Sequence, residues 1–225
     1  MLILGADTSG KNGSIALVRF GQGEPQTLDL VPLEGGTFSA QLVPQISALL
    51  KKHGIEKEDF DAFAVASGPG SFTGLRVGLA AIKALAEVLD KPIAAVSRLE
   101  VIARSAEISG EVIAALEAGR NQVYAGFYTL EKGRSELVSE DLLSLPEFLS
   151  NAAGHPVITP DAKLAENARS RQLQTIFIPL PQADAIARLG HEKIQAGQTI
   201  SPEALDATYI RLSDAEIVKS SSTPR

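Results

Sequence analysis

With 225 residues, of which 44% are apolar and 21% charged, the chain has enough apolar material for a buried core and the balance of an ordinary globular protein. A formal net charge of -6, with no cluster of Lys and Arg, argues against tight unaided binding of a polyanion such as a nucleic acid. The lack of cysteine excludes disulfides and thiolate metal sites, and no run reaches the roughly 18 apolar residues that a membrane helix needs.

The opening LILGAD (residues 2–7) reads as a strand, followed by a turn over Thr8–Gly13 and a second strand over Ser14–Phe20. The start lacks the basic residues and long apolar stretch of a secretion signal, so a cytoplasmic address is expected, with no membrane involved. Thr27–Pro32 is a third strand. Ser39–His53 places Leu42, Val43, Ile46, Leu49 and Leu50 at helical spacing, with Ser39 as N-cap and Gly54 just past the end. Phe63–Ala66 is a short buried strand that runs into the loop Ser67–Ser71 and then a long helix over Phe72–Leu89. Lys91 and Pro92 stop that helix, Ile93–Val96 is a strand, and Leu99–Ala106 is helical.

A second cycle begins near Glu111: VIAAL as a strand, Glu117–Asn121 as a turn, QVYAGFYTL as a strand, a turn at Lys132 and a short strand ELVS. Helices are expected over Leu145–Asn151, Ala162–Ala168 and Ala183–Ala196, with strands at Val157–Thr159 and Thr175–Pro179. Ser220–Arg225 reads as a disordered tail. Two hairpin-first α/β units in tandem suggest the actin/Hsp70/sugar-kinase (ASKHA) architecture of two lobes, here 1–107 and 108–219, with the last helix packing back on the first lobe.

The densest motif is Ser67-Gly-Pro-Gly-Ser-Phe-Thr-Gly-Leu-Arg. Gly68, Gly70 and Gly74 allow positive φ or close backbone approach, and Ser71 suits the N-cap. Two readings fit: a tight strand-to-helix turn, or a phosphate cradle at a helix N-terminus, with Asp7, Thr8 and Ser9 beside it as in kinases of this fold. It is not a Walker loop, since no Gly-Lys-Ser/Thr closes it.

On the helix that follows, Arg76, Lys83, Glu87 and Asp90 share a stripe about 60° wide at 100° per residue. Phe72, Leu75, Leu79, Ile82, Leu85 and Leu89 form a broad apolar face for the domain's own sheet. Thr73, Val77, Ala80, Ala81, Ala84 and Val88 form a second, small and smooth face, suited either to burial inside the monomer or to an interface. The three histidines, His53, His155 and His191, stand in separate segments with no pair one helical turn apart, a poor pattern for a metal site. Glu117 and Arg120 flank a turn, as a mutual pair or a partner contact.

The stretch DAFAVASGPGSFTGLRVGLAAIKALAEVLDKPIAAVSRLEVIA closely resembles the signature of the TsaB (YeaZ) family. ILGADTSGKNGSIALV, EAGRNQVYAGFY and ATYIRLSDAE are similar to its opening, middle and late segments, so the resemblance spans nearly the whole chain. Phe38 stands where many relatives carry His, and Glu117 where they carry Asp. The resemblance implies a two-lobed ASKHA fold and a non-catalytic dimerisation subunit for TsaD. With the ATPase TsaE, TsaD places a threonylcarbamoyl group on the adenosine beside the tRNA anticodon. It implies homodimers of the lone chain, no cofactor for the chain by itself, ATP or ADP at the complex interface, and tRNA contact only indirectly. It places the partner contact on the long helix, at Phe72, Thr73, Arg76, Val77, Ala80, Ala81 and Ala84. The alternatives from the same fold are an ATP-dependent small-molecule kinase, using Asp7, Thr8, Ser9, Gly68, Gly70 and Ser71 as a phosphate loop, or a metallopeptidase-like hydrolase.

Overall fold

In the computed structural model, which describes residues 1–34, 36–132, 134–207 and 210, the chain passes twice through one order of elements. The first pass is β1 (Leu2–Asp7), β2 (Gly13–Arg19), β3 (Gln26–Leu33), α1 (Phe38–His53), β4 (Ala62–Gly68), α2 (Phe72–Leu89), β5 (Ile93–Ser97) and α3 (Arg98–Arg104). The second is β6 (Gly110–Gly119), β7 (Gln122–Glu131), β8 (Arg134–Ser144), α4 (Leu145–Asn151), β9 (Val157–Thr159), α5 (Ala162–Ser170), β10 (Thr175–Phe177) and α6 (Ala183–Gln195). The sheets run β3-β2-β1-β4-β5 and β8-β7-β6-β9-β10. In each, three antiparallel strands are extended by two parallel ones reached through helical crossovers. This duplication is the two-lobed ASKHA-type α/β fold that the tandem pattern suggests.

β1 and β4 are buried at every position, as strands covered on both faces must be. On one face of the first sheet, Leu4, Ile15, Leu17 and Phe63 meet Leu42, Ile46 and Leu49 of α1 and Leu75, Leu79 and Ile82 of α2. On the other, Ile3, Ala16, Ala62 and Ala64 meet Ala183, Ile186 and Ala187 of α6. α6 lies close because two glycines face the contact. A Cβ on Gly5 would fall 2.2 Å from the Ala183 carbonyl, and one on Gly190 2.4 Å from the Ala64 Cβ.

The crossing helices exchange sheets. α3 leaves the first sheet yet buries Leu99, Ile102 and Ala103 against the second, while α4 and α5 cover the second sheet's far face. α3 and α6 are joined by a two-pronged Arg104–Glu192 pair at 2.7 and 2.9 Å and by Lys193–Glu100 at 2.8 Å. Among the described residues no helix is long and apolar enough to cross a membrane.

Some boundaries differ from those the sequence pattern suggests. α1 begins at Phe38 with Thr37, not Ser39, at the N-cap, and Gly54 ends it at φ 61° as expected. α3 starts one residue early, at Arg98, because the Ser97 hydroxyl accepts the Glu100 N–H and caps it. β8 is eleven residues rather than a short ELVS, since pairing with β7 along its whole length overrides its acidic composition. A 3-10 turn at Lys57–Asp59, closed by reciprocal bonds between Glu56 and Asp59, has no counterpart among the expected elements. The ATYIRLSDAE segment, apart from Ala207 and Ile210, and the Ser220–Arg225 tail lie outside the described residues.

Candidate functional site

β1 ends at Asp7, and it and the two residues that follow are almost inaccessible: Asp7, Thr8 and Ser9 are 7%, 2% and 1% exposed. The loop after β4 and the first turns of α2 lie directly on them. The Ser71 N–H donates to the Ser9 carbonyl at 2.6 Å, and the Thr8 hydroxyl donates to the Gly74 carbonyl at 2.7 Å. Asp7 Oδ1 accepts the Ser9 N–H at 2.8 Å and also the Ser9 hydroxyl. Arg98 places Nε 3.4 Å from Asp7 Oδ2, and its Nη1 donates to the Pro69 carbonyl at 3.2 Å. Ser71 caps α2 by accepting the Gly74 N–H at 3.3 Å.

The glycine spacing has a direct cause here. A Cβ on Gly70 would sit 2.3 Å from the Ser9 carbonyl oxygen, one on Gly74 2.0 Å from that of Thr8, and one on Gly78 2.3 Å from the Thr8 hydroxyl. Real Cβ atoms do not come this close, so these three positions, four residues apart, let the loop and helix rest directly on the turn after β1, Gly70 and Gly74 against its backbone and Gly78 against the Thr8 side chain. Gly68 adopts φ 129°, a region side chains rarely enter. The structure thus brings Asp7, Thr8, Ser9, Gly68, Gly70 and Ser71 together, with Asp7, Thr8, Ser9 and Ser71 hydrogen-bonded within the cluster.

Beside this clasp opens a cleft of about 1450 Å³ between the two halves. Lys11, Phe72, Thr73 and Arg98 line it from one side, and Glu117, Arg120, Tyr124 and Asp161 from the other. Asp161, just before α5, accepts the Glu117 N–H through Oδ2 at 2.6 Å and donates its own N–H to the Thr159 hydroxyl at 3.1 Å. By topology the start of α5 corresponds to the start of α2, and there a carboxylate holds the end of β6. Sequence reasoning missed Arg98 and Asp161. Asp161 carried a signal, an Asp directly before an expected helix; Arg98 carried none, because its partners lie 29 and 91 positions away.

α2 buries Gly74, Leu75, Gly78, Leu79, Ile82 and Ala86. Its opposite flank is open: Thr73, Ala80, Ala84 and Val88 are exposed, Val88 at 76%. Val77 and Ala81 are half-buried at the edge of the core. Phe72 is also half-buried rather than packed into the core face, with the Arg76 guanidinium carbon 3.7 Å above its ring centre. Lys83 donates to the Glu203 carbonyl at 3.3 Å, which ties the segment after α6 alongside the helix.

The histidines stand apart. His53 lies 3.0 Å from Asp29, His155 3.5 Å from Glu111, and His191 stacks on Phe20 with centroids 4.0 Å apart. Among the described residues no three His, Asp or Glu side chains converge where they could hold a metal ion.

Residues 35–203 match the family model of TsaD, tRNA N6-adenosine threonylcarbamoyltransferase. The tRNA threonylcarbamoyladenosine biosynthesis protein TsaB of Bacillus subtilis (strain 168) is 32% identical over 96% of each chain, and that of Haemophilus influenzae 28% identical over 94% of each. A solved Pseudomonas aeruginosa protein described as similar to peptidase YeaZ superposes with a TM-score of 0.76 at 28% identity, covering 93% of this chain and 99% of its own. Sequence similarity along almost the full length and the shared fold lead to one assignment: the chain belongs to the TsaB (YeaZ) family.

Proposed function

We propose that this chain works in tRNA threonylcarbamoyladenosine biosynthesis as a cytoplasmic, non-catalytic partner of TsaD, docking through the open flank of α2. The contact residues are Phe72, Thr73, Arg76, Val77, Ala80, Ala81 and Ala84. The observation that carries this reading is Ala80 and Ala84 facing solvent on a helix whose other side is already packed. A helix that serves only its own core carries polar residues on its outer face. Small side chains there let a second helix approach closely, as an interface requires. In the free protein the same flank pairs with a second copy.

On this reading the chain supplies no reacting group. Asp7, Thr8, Ser9, Gly68, Gly70 and Ser71 hold α2 in place instead of cradling a phosphate. TsaE is the further partner, ATP or ADP belongs to the assembled interface, and tRNA is held by another subunit, in keeping with the net charge of -6. Mixing the purified chain with TsaD and measuring mass in solution tests the proposal. A species containing both is expected. Two unmixed proteins, or threonylcarbamoyl transfer to tRNA by this chain alone, would overturn it.

The cleft favours one second reading, a small-molecule kinase of the same fold. Calorimetric titration of the isolated chain with ATP separates the two. Tight binding accompanied by turnover would replace the partner reading, and no heat of binding would remove the kinase. The metallopeptidase reading predicts stoichiometric divalent metal in elemental analysis of the pure protein.

A further inference from the structure

We propose that Arg98 is a positioning residue, which sets the first turns of α2 for docking by tying them to the helix packed on the second sheet. The proposal rests on the docking reading above. Arg98 belongs to α3, whose Leu99, Ile102 and Ala103 sit in the core of the second sheet. Its guanidinium nevertheless ends on groups of the first sheet: the Asp7 carboxylate and the Pro69 carbonyl. From Asp7 the connection runs through Ser9 to the Ser71 N–H, and so to the start of α2 where Phe72 and Thr73 stand. The α2 N-terminus is therefore held between both halves of the molecule rather than by its own sheet alone.

The side chains of Arg98 and Asp7 are 11% and 9% exposed, so solvent does little to screen the pair or to replace a lost partner. The planar guanidinium meets a carboxylate through Nε and donates to a carbonyl through Nη1 at once, which a lysine ammonium on a flexible stem does less well. Removing it leaves the Asp7 charge with the Ser9 hydrogen bonds but no cation beneath the loop, and frees Pro69 to shift. The docking flank then occupies a wider set of positions, and the partner must select one of them.

The test measures affinity for TsaD by calorimetry, at a temperature where each variant is fully folded, alongside thermal midpoints of the free chain. Arg98→Ala is expected to raise Kd about tenfold, and Arg98→Lys to recover part of that loss. Arg104→Ala, which breaks the α3–α6 pair away from the clasp, should lower the midpoint yet leave Kd within about twofold, the change expected for an ordinary exposed pair. A folded Arg98→Ala that binds like wild type overturns the proposal. If that variant does not fold, an unchanged Kd for Arg98→Lys overturns it equally. Ala80→Arg separates the two levels. Intact binding by Ala80→Arg refutes the docking reading itself, whereas lost binding there with an unchanged Kd for Arg98→Ala refutes only the role of Arg98.

Discussion

Gly74→Ala tests the clasp between α2 and the turn after β1. The added methyl carbon would lie 2.0 Å from the Thr8 carbonyl oxygen, where ordinary contact begins at 3.4 Å, and the atom in the way is backbone. Helix and turn must part, which strains or breaks the 2.7 Å bond from the Thr8 hydroxyl to the Gly74 carbonyl. Overpacking of this kind costs about 1–3 kcal/mol, and the strained buried hydrogen bond adds about 1 kcal/mol. The better helix propensity of alanine returns about 1 kcal/mol. The net loss is about 2 kcal/mol, which for a chain of this length lowers the thermal midpoint by about 4–8 °C. Gly21→Ala is the control, since a Cβ added there would meet nothing within 4 Å. Melting curves followed by circular dichroism give the comparison. If Gly74 were there only to let an anion approach, alanine would be neutral or stabilising for the free chain. A Gly74→Ala midpoint at or above wild type refutes the clasp.

Two further predictions concern pH. Asp29 is held at a pKa of about 2, first by Lys52 and next by His53, so its ion pairs stabilise the fold above the ordinary carboxylate range and lose that contribution as pH falls from about 4 to about 2. Asp29→Asn should cost on the order of 1 kcal/mol or less at pH 7, as surface pairs do, with the difference from wild type vanishing near pH 2 in urea titrations. Burial beside Phe20, helped by the N-terminal charge, holds the His191 pKa below its ordinary value of 6.5. The unfolded chain therefore binds the proton first, and stability falls as pH drops through 6.5. His191→Phe keeps the stack and should flatten that part of the pH–stability profile; an unchanged slope would contradict the assignment.

Local signals were strong wherever an element is governed by its own residues. The Leu42, Ile46 and Leu49 spacing marked α1, Gly54 its end, Ser71 the cap of α2, and unbroken apolar runs the two central strands. What stayed hidden depends on partners distant in sequence. β8 is extended by pairing with β7 well beyond the short strand ELVS, through Glu140 and Asp141, where the sequence pattern had ended. Gly70 and Gly74 could be recognised as permissive and Gly78 was not singled out, but what all three approach, Thr8 and Ser9, emerges only once β1 and α2 are side by side. Arg98 has the same limit, since nothing in Ser-Arg-Leu announces a guanidinium that reaches back to Asp7. The faces of α2 were separable by helical period, but whether its alanine flank was covered depended on where the rest of the chain packs.

The docking claim is tested most directly by Ala84→Arg and Ala80→Arg, with the mass of each variant measured by light scattering after mixing with TsaD. Both side chains point into solvent in the monomer, so each variant should fold and melt within about 1–2 °C of wild type held at a dilution where it is monomeric. At the contact each would bury an uncompensated charge at a cost of about 3–5 kcal/mol, weakening the complex by two orders of magnitude or more. Well-folded variants are expected to remain unpaired at concentrations where wild type is fully bound. Full pairing by both variants would contradict it.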